Sequence, residues 1–305
     1  MVRRSQTMRS CFSVPKDAGH PCALAVLLAL LLPGAGCTTT MTHLAPAKAL
    51  QPGHMQITVD YSLPIHTNLA EGVVDAAELL EDRIDKEEVS ELTDEEFRTL
   101  LDAAFNWALF LTGGSPEALA RIGLAGWETG GLDIGVRFNG TTVKGDAKVE
   151  YWRSSNEVWH AALDVGYAYQ FSVVGDLLEY LSLNDWARHD LDIMLPVSAE
   201  PGKVFRWYVA PRILVSWINV EAKPGAKLLE YLPESLKSYN PSQYFGDEKM
   251  IYWGGTTGIM LGYRYVFVNL EMSVMRLQFR PRVLDERRDY DGVVIAPAVG
   301  LTGMW

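Results

Sequence analysis

The sequence predicts an all-β protein: an up-and-down antiparallel β-barrel of ten strands that spans a membrane and carries helical loops. From residue 55 onward, segments alternate apolar and polar residues with period two, the pattern of strands with two different faces. The connections between these segments alternate between short and long, as in barrels whose short turns all lie on one side of a membrane. Residues 55–305 are therefore expected to form the barrel.

Composition excludes several other classes. The chain has 305 residues, of which 48% are hydrophobic, so disorder and a small disulfide scaffold are excluded. Its 27 Lys and Arg against 38 Asp and Glu give a net charge of −11, which argues against binding to nucleic acid. Only the N-terminus holds a long uncharged apolar run, so a polytopic helical membrane protein is excluded too.

The N-terminus has the pattern of a secretory signal peptide over residues 1–36. A basic stretch that ends at Lys16 precedes the ten apolar residues 23–32, a run too short to span a membrane. Residues 1–36 contain four Lys and Arg and one acidic residue, so their removal leaves a mature net charge of −14.

The end of this signal resembles a bacterial lipoprotein cleavage box. Residues 32–37 read Leu-Pro-Gly-Ala-Gly-Cys, with Gly34 where that family usually has Leu. The resemblance implies that Cys37 is lipidated, for example with palmitate, and that Thr38 directs the protein to the outer membrane. Residues 37–54 would then be a lipidated N-terminal linker. The alternative is ordinary cleavage near Gly36, which leaves a free thiol.

The strands follow in order, and residues 159–171 are the clearest, with an apolar face from Trp159 to Phe171 that is aromatic at both ends. Eight further segments repeat the alternation: 55–63, 132–139, 143–151, 190–195, 205–217, 251–264, 266–274 and 293–305. Residues 119–127 supply a tenth strand, although Ser115-Pro116 equally resembles a helix start. Eight strands are the fallback. Pro211 and Pro297 count against the prediction, because a proline within a strand loses a ladder hydrogen bond.

The longest connection, about 66–117, is predicted to be a helical, acidic loop. Residues 71–102 hold thirteen acidic side chains and a net charge of −10, and Thr93 to Glu96 form a capping box. The end of the predicted helix, 105–111, is apolar nearly all round and is expected to pack over the barrel mouth. Insertion into the membrane interface and docking to a partner are the alternatives. The parity of the strands places both chain termini on the periplasmic side.

The polar faces predict an interior in which charges of both signs pair. The expected lumen network consists of Asp60, Asp133, Arg137, Asp146, Lys148, Glu150, His160, Asp164, Arg206, Arg212, Arg264 and Glu271. A ten-stranded barrel has a narrow interior, so a filled, ion-paired lumen is favoured over a narrow polar channel.

No catalytic or metal chemistry is predicted. His160 is the only inward-facing histidine, and the acidic residues Asp146 and Asp164 could lie near it as part of an interior polar network. No nucleophile motif, metal cluster or phosphate-binding loop occurs in the sequence, so no enzyme activity, metal or cofactor is expected.

Aromatic side chains are expected to mark the two membrane interfaces. They are Trp159, Tyr169, Phe171, Trp207, Trp217, Trp253 and Trp305. The C-terminal strand, with Val299, Leu301 and Trp305 at matching positions and Gly303 departing, resembles the terminal recognition signal of bacterial outer-membrane β-barrels. That resemblance implies that the barrel-assembly machinery and outer-membrane lipid are partners.

Together these features resemble the outer-membrane β-barrel lipoproteins of Gram-negative bacteria in general. The implied function is a structural, surface-interaction or narrow, porin-like solute-passage role in the cell envelope, with a surface or envelope protein as a possible partner. The alternative is a soluble periplasmic or surface lipoprotein with a calycin-like barrel that binds a hydrophobic ligand inside. The two differ in which face of the strands points inward.

Overall fold

A computed structural model describes residues 40–67, 114–171, 181–224, 248–283, 286–287 and 289–305 of the chain. The barrel belongs to the compact unit Pro33–Trp305. The predicted signal peptide, Cys37 and most of the acidic loop, including its predicted helix, lie outside the described residues. No helix within the described ranges is long and apolar enough to cross a membrane.

The described residues form fourteen strands. They are β1 (Met55–Ser62), β2 (Ile65–His66), β3 (Ser115–Trp127), β4 (Gly130–Phe138), β5 (Thr142–Arg153), β6 (Trp159–Phe171), β7 (Leu181–Met194), β8 (Val197–Ala199), β9 (Phe205–Pro224), β10 (Glu248–Tyr263), β11 (Val266–Gln278), β12 (Arg282–Val283), β13 (Glu286–Arg287) and β14 (Gly292–Met304).

Ten of these strands close into one antiparallel barrel. The order is β1-β3-β4-β5-β6-β7-β9-β10-β11-β14, and β14 pairs back with β1 from Gln56↔Met304 to Ser62↔Ala298. The short strands β2 and β8 continue the ladders of β14 and of β6 and β9, while β12 and β13 form a separate small hairpin. The prediction of a ten-stranded barrel is confirmed, and the eight-stranded fallback is wrong.

The uncertain tenth strand is β3, and the alternative helix start at Ser115 is wrong. Pro116 belongs to β3 and pairs with Tyr61 of β1. On its other side the β3–β4 ladder begins only at Ala118↔Phe138. Pro116 therefore lies where the strand has one neighbour, a position at which a missing amide donor is tolerated.

Pro211 and Pro297 occupy the barrel because each lies opposite an interruption in a neighbouring strand. Leu195 and Pro196, between β7 and β8, do not belong to a strand. The Leu195 amide donates to the Pro211 carbonyl at 3.0 Å. Between β1 and β2 the Leu63 amide likewise donates to the Pro297 carbonyl at 3.0 Å. In both places a Leu-Pro pair that interrupts strand structure lies opposite the proline of the neighbouring strand.

The two faces of the wall have opposite chemistry. Along β11, Val268 and Leu270 are 48% and 47% exposed on the outside, while Asn269 and Glu271 between them are buried. β1 shows the same alternation, and long stretches of β3, β4 and β6 follow it. An apolar exterior around a polar interior is the arrangement of a transmembrane β-barrel. It is the reverse of what a calycin-like binder of hydrophobic ligands requires, so that alternative is not supported.

The two ends of the barrel differ in the length of their connections. At one end, called the short-turn end here, residues 128–129, 154–158, 200–204 and 264–265 join successive strands, and the Trp305 amide donates to the Met55 carbonyl at 3.0 Å. At the opposite, long-loop end the connections cover 67–114, 172–180, 225–247 and 279–291, with 139–141 as the one short link.

Candidate functional site

The described lumen contains a segment of the chain itself. Residues 40–50, called the lumen strap here, run through the barrel without regular secondary structure, and all of them except Lys48 and Leu50 are fully buried. This stretch belongs to the interval 37–54 that the sequence suggested as a linker. The linker interpretation is corrected for residues 40–50, which fill the interior.

The strap crosses the barrel from one end to the other. The Leu50 amide donates to Asp133 Oδ2 at 2.9 Å, close to the short-turn end. Met41 packs in an apolar cluster toward the long-loop end, together with Ile218 and Leu277. After the strap, residues 51–54 turn at the short-turn end and β1 returns through the wall in the opposite direction.

Buried carboxylates of the wall accept the strap's amides. Glu271 binds two successive amides, those of His43 at 2.7 Å and Leu44 at 2.6 Å. The amide of Ala49 donates to Glu150 Oε2 at 3.0 Å. Hydrogen bonds to a charged partner are stronger than neutral ones, so these carboxylates offset the cost of removing peptide groups from water.

Cations of the wall donate to the strap's carbonyls. The Arg212 guanidinium donates to the carbonyls of Thr40 and Met41, the former at 2.8 Å. Lys148 Nζ donates to the carbonyls of Pro46 at 2.9 Å and Lys48 at 3.0 Å. Other donors are Arg137 to the His43 carbonyl and Ser273 to the Met41 carbonyl, both at 2.9 Å, and Gln56 Nε2 to the Leu44 carbonyl at 3.5 Å.

Buried charged side chains of the wall also pair with one another around the strap. Arg121 is the centre of one group and contacts three carboxylates: those of Asp133 and Asp146, and that of Asp164 at 3.3 Å. Further pairs include Lys148–Asp133 at 3.3 Å, Arg137–Asp60 at 3.2 Å, Arg137–Glu117 at 2.8 Å, Arg212–Asp192 at 2.6 Å, Arg188–Asp190 at 2.8 Å and Lys144–Asp192. Buried charges persist only when they are paired in this way.

His160 has different neighbours from those expected. Its Nδ1 lies 2.7 Å from Glu150 Oε1, and its Nε2 lies 3.0 Å from the Glu157 carbonyl oxygen. Glu150 also accepts hydrogen bonds from Arg153 at 2.9 and 3.0 Å. The expected neighbours Asp146 and Asp164 contact Arg121 instead. Within the described ranges no group of three or more His, Cys, Asp or Glu side chains could hold a metal ion.

One predicted member of the lumen network lies outside the lumen, and a second lies at its rim. Arg264 is exposed, because it occupies the two-residue turn between β10 and β11 with a φ of 58° and lies over the Tyr263 ring. Positive φ is what such hairpin turns require, so placing Arg264 in the lumen is wrong. Arg206 is only half-buried at the short-turn end, where its guanidinium lies 4.5 Å from the centroid of the Phe267 ring.

Other residues of the interior were missed by the sequence interpretation. Glu117 lies beyond the limits predicted for the tenth strand, and Arg188 lies just past the expected long connection. Tyr208 donates to Glu271, and it fits because a side chain at Gly258 would collide with its ring. His43 could not be found from periodicity, because the strap has none.

The predicted interfacial aromatics face outward. Trp159 and Trp207 contact edge to face at the short-turn end, with ring centroids 5.6 Å apart. Toward the other end, Tyr169, His189 and Trp217 occupy adjacent register positions on β6, β7 and β9. The remaining three, all exposed on the outer wall, are Phe171, Trp253 and Trp305.

Structural comparison with solved proteins finds matches of low TM-score and low sequence identity. Ail, the attachment invasion locus protein of Yersinia pestis, is 6% identical over 84% of this chain and 100% of its own, with a TM-score of 0.29. Neisserial surface protein A is 7% identical over 82% of this chain and 95% of its own, with a TM-score of 0.28. No protein-family model and no curated protein matches the sequence. The fold is therefore assigned from the strand pairing and burial of this chain itself.

Proposed function

We propose that the chain is an outer-membrane β-barrel lipoprotein whose interior is closed by its own N-terminal segment and whose role is structural or surface-interacting. The apolar outer wall carries this proposal. Side chains such as Val136, Val165, Ile213, Leu270 and Leu301 are exposed on it, while the charged side chains point inward. Exposure of that apolar wall to water would be unfavourable, whereas the hydrocarbon core of a membrane solvates it.

The filled lumen favours a closed barrel over a conduit for solutes. The strap occupies the interior and is bound by Glu271, Arg212 and Lys148. Each of these contacts would have to break for the strap to leave. A pore is accordingly the less favoured role.

The proposal includes no catalytic chemistry. His160 is fully buried and is engaged through both ring nitrogens, with Glu150 and with the Glu157 carbonyl. A general base needs access to a substrate proton, and this histidine is better explained as part of the polar network that holds the strap.

Lipidation and assembly partners are further parts of the proposal. Cys37 would carry the lipid anchor, and the barrel-assembly machinery would recognise β14, whose terminal Trp305 is 52% exposed on the outer wall. A surface or envelope protein is the partner class that fits an outer-membrane barrel with long loops at one end.

The test is whether the outer wall contacts lipid. In Leu270→Lys, a charge on the hydrocarbon-facing wall should cost about 2–4 kcal/mol near the bilayer centre. We expect the variant to lose the heat-modifiable gel mobility and the outer-membrane fractionation of the wild type. Glu128→Lys, in an exposed turn, is the matched control and should keep both. A wild type that is extracted without detergent, or a Leu270→Lys variant that behaves as the control does, contradicts the proposal.

A further inference from the structure

The lumen strap crosses the barrel in the direction opposite to β1. Its C-terminal half contacts residues near the short turns: the Ala47 amide donates to Ser198 Oγ at 3.0 Å, and Lys48 pairs with Glu200 at 3.4 Å. Near its N-terminal end, Met41 packs against Ile218, Met250 and Leu277, on the parts of β9, β10 and β11 nearest the long loops. The polypeptide therefore enters the lumen from the long-loop end.

We infer that the mature N-terminus emerges at the long-loop end of the barrel, opposite to Trp305. This inference rests on the proposed function in two respects: the side of the membrane that this end faces, and the presence of a lipid on Cys37. With the long loops outside the cell, the N-terminus and any lipid on it would be delivered to the outer surface. The sequence parity had placed the N-terminus with Trp305 on the periplasmic side.

The contacts that orient the strap are distributed along its length. Glu150 and Asp133 bind amides near one end, Glu271 binds two in the middle, and Arg212 binds carbonyls at the other end. A strap that entered from the short-turn end and folded back could not make all of these contacts, because eleven residues suffice only for a single extended crossing.

The connection to β1 also fixes the direction of the strap. At the short-turn end Gly53 donates to the Gly123 carbonyl and Gly123 donates to the His54 carbonyl, both at 3.0 Å. These bonds hold the turn 51–54 against β3.

Chain length sets how far the N-terminal cysteine can lie from the strap. Cys37 precedes Thr40 by three residues, so their Cα atoms are at most about 11 Å apart. A group attached to Cys37 would therefore remain on the side from which the strap enters. This places the lipid in the outer leaflet, where it would anchor the long-loop face.

Thiol labelling of the full-length protein in intact cells tests the inference. Thr39→Cys places a thiol just before the strap, while Asp289→Cys and Gly202→Cys mark the long-loop end and the short-turn end, at exposed positions. The wild type is the background control, since Cys37 is the one cysteine of the predicted mature chain and reacts only if its sulfur carries no lipid. A membrane-impermeant maleimide is the probe.

We expect Thr39→Cys to be labelled in intact cells together with Asp289→Cys, and Gly202→Cys to be labelled only after permeabilisation. If Thr39→Cys is labelled under the same conditions as Gly202→Cys and not under those of Asp289→Cys, the inference is overturned. Labelling of Thr39→Cys only after denaturation would overturn it too. If Thr39→Cys and Asp289→Cys behave alike but both require permeabilisation, the threading stands and the proposed orientation in the membrane fails. A wild type that is labelled strongly shows that Cys37 is not lipidated, which removes the lipid from the inference and leaves the direction of the strap.

Discussion

Glu271 of β11 holds the main chain of Leu44 inside the barrel, with 2.6 Å between its Oε2 and the Leu44 amide nitrogen. Its Oε1 accepts the His43 amide at 2.7 Å, and the Tyr208 hydroxyl of β9 also donates to Oε2. One buried carboxylate thus links the strap to two strands of the wall.

The first prediction concerns Glu271 itself. Glu271→Gln replaces one charged acceptor by an NH₂ group that cannot accept from an amide, so at least one buried donor loses its partner. Such losses cost about 1–3 kcal/mol. We expect a lower urea midpoint for unfolding in detergent micelles, followed by heat-modifiable mobility. Glu128→Gln, at an exposed turn, should leave the midpoint unchanged, and equal midpoints for the two variants would contradict the role of Glu271.

The second prediction concerns the Arg121 group. Arg121→Met leaves the carboxylates of Asp133, Asp146 and Asp164 without their shared cation, and breaking a buried ion pair costs about 3–5 kcal/mol. The free energy of unfolding, measured by urea titration, should therefore fall by about 3–5 kcal/mol. Arg264→Met removes the same kind of charge from an exposed turn and should change it by less than about 0.5 kcal/mol. A loss in Arg121→Met no larger than in this control would disprove the importance of the group.

A third prediction tests the turn that anchors the strap. A Cβ at Gly123 would lie 2.1 Å from the Gln51 carbonyl oxygen, whereas no atom lies within 4 Å of the corresponding position at Gly145. Gly123→Ala should therefore destabilise the protein and increase protease cleavage between the strap and β1, while Gly145→Ala should not. Limited proteolysis with mass spectrometry measures both effects, and indistinguishable cleavage patterns would count against the packing described.

A fourth prediction concerns the closed lumen. Removing residues 40–50 leaves Arg212, Lys148 and Glu271 without their main-chain partners, so water should enter a lumen that the strap otherwise fills. In planar lipid bilayers we expect the wild type to be silent and the deletion variant to conduct ions. The heat-modifiable shift shows whether the deletion variant is folded. A folded variant as silent as the wild type, or a conducting wild type, would contradict the role of the strap as a plug.

A fifth prediction addresses Cys37. Cys37→Ser should abolish metabolic labelling by an alkyne-bearing palmitate analogue, because no other cysteine remains in the mature chain. The single substitution Cys22→Ser, within the signal peptide, is the matched control and should keep the label. Undiminished labelling of Cys37→Ser would end the lipoprotein assignment.

The alternation of side chains was sufficient to predict the wall of the barrel. Period two in β6 or β11 assigns each residue to a face, and the apolar face must point to lipid if charged residues such as Asp164 and Glu271 are to be paired inside. The same alternation placed Arg264 in the lumen wrongly, because the parity rule was carried past the end of β10 into a turn. It missed Glu117 because the strand containing it extends further than its clearest alternation.

What the sequence by itself determined was the inside and outside of the wall, nine of its ten strands and the asymmetry of the connections, since all three follow from side-chain periodicity and segment length. Only the tertiary structure decided what fills the lumen. Residues 40–50 show no alternation, and their amides and carbonyls, rather than their side chains, make most of the contacts with Glu271, Arg212 and Lys148. Every residue except proline has the same backbone donor and acceptor, so side-chain patterns alone could not distinguish a strap held inside the barrel from a linker.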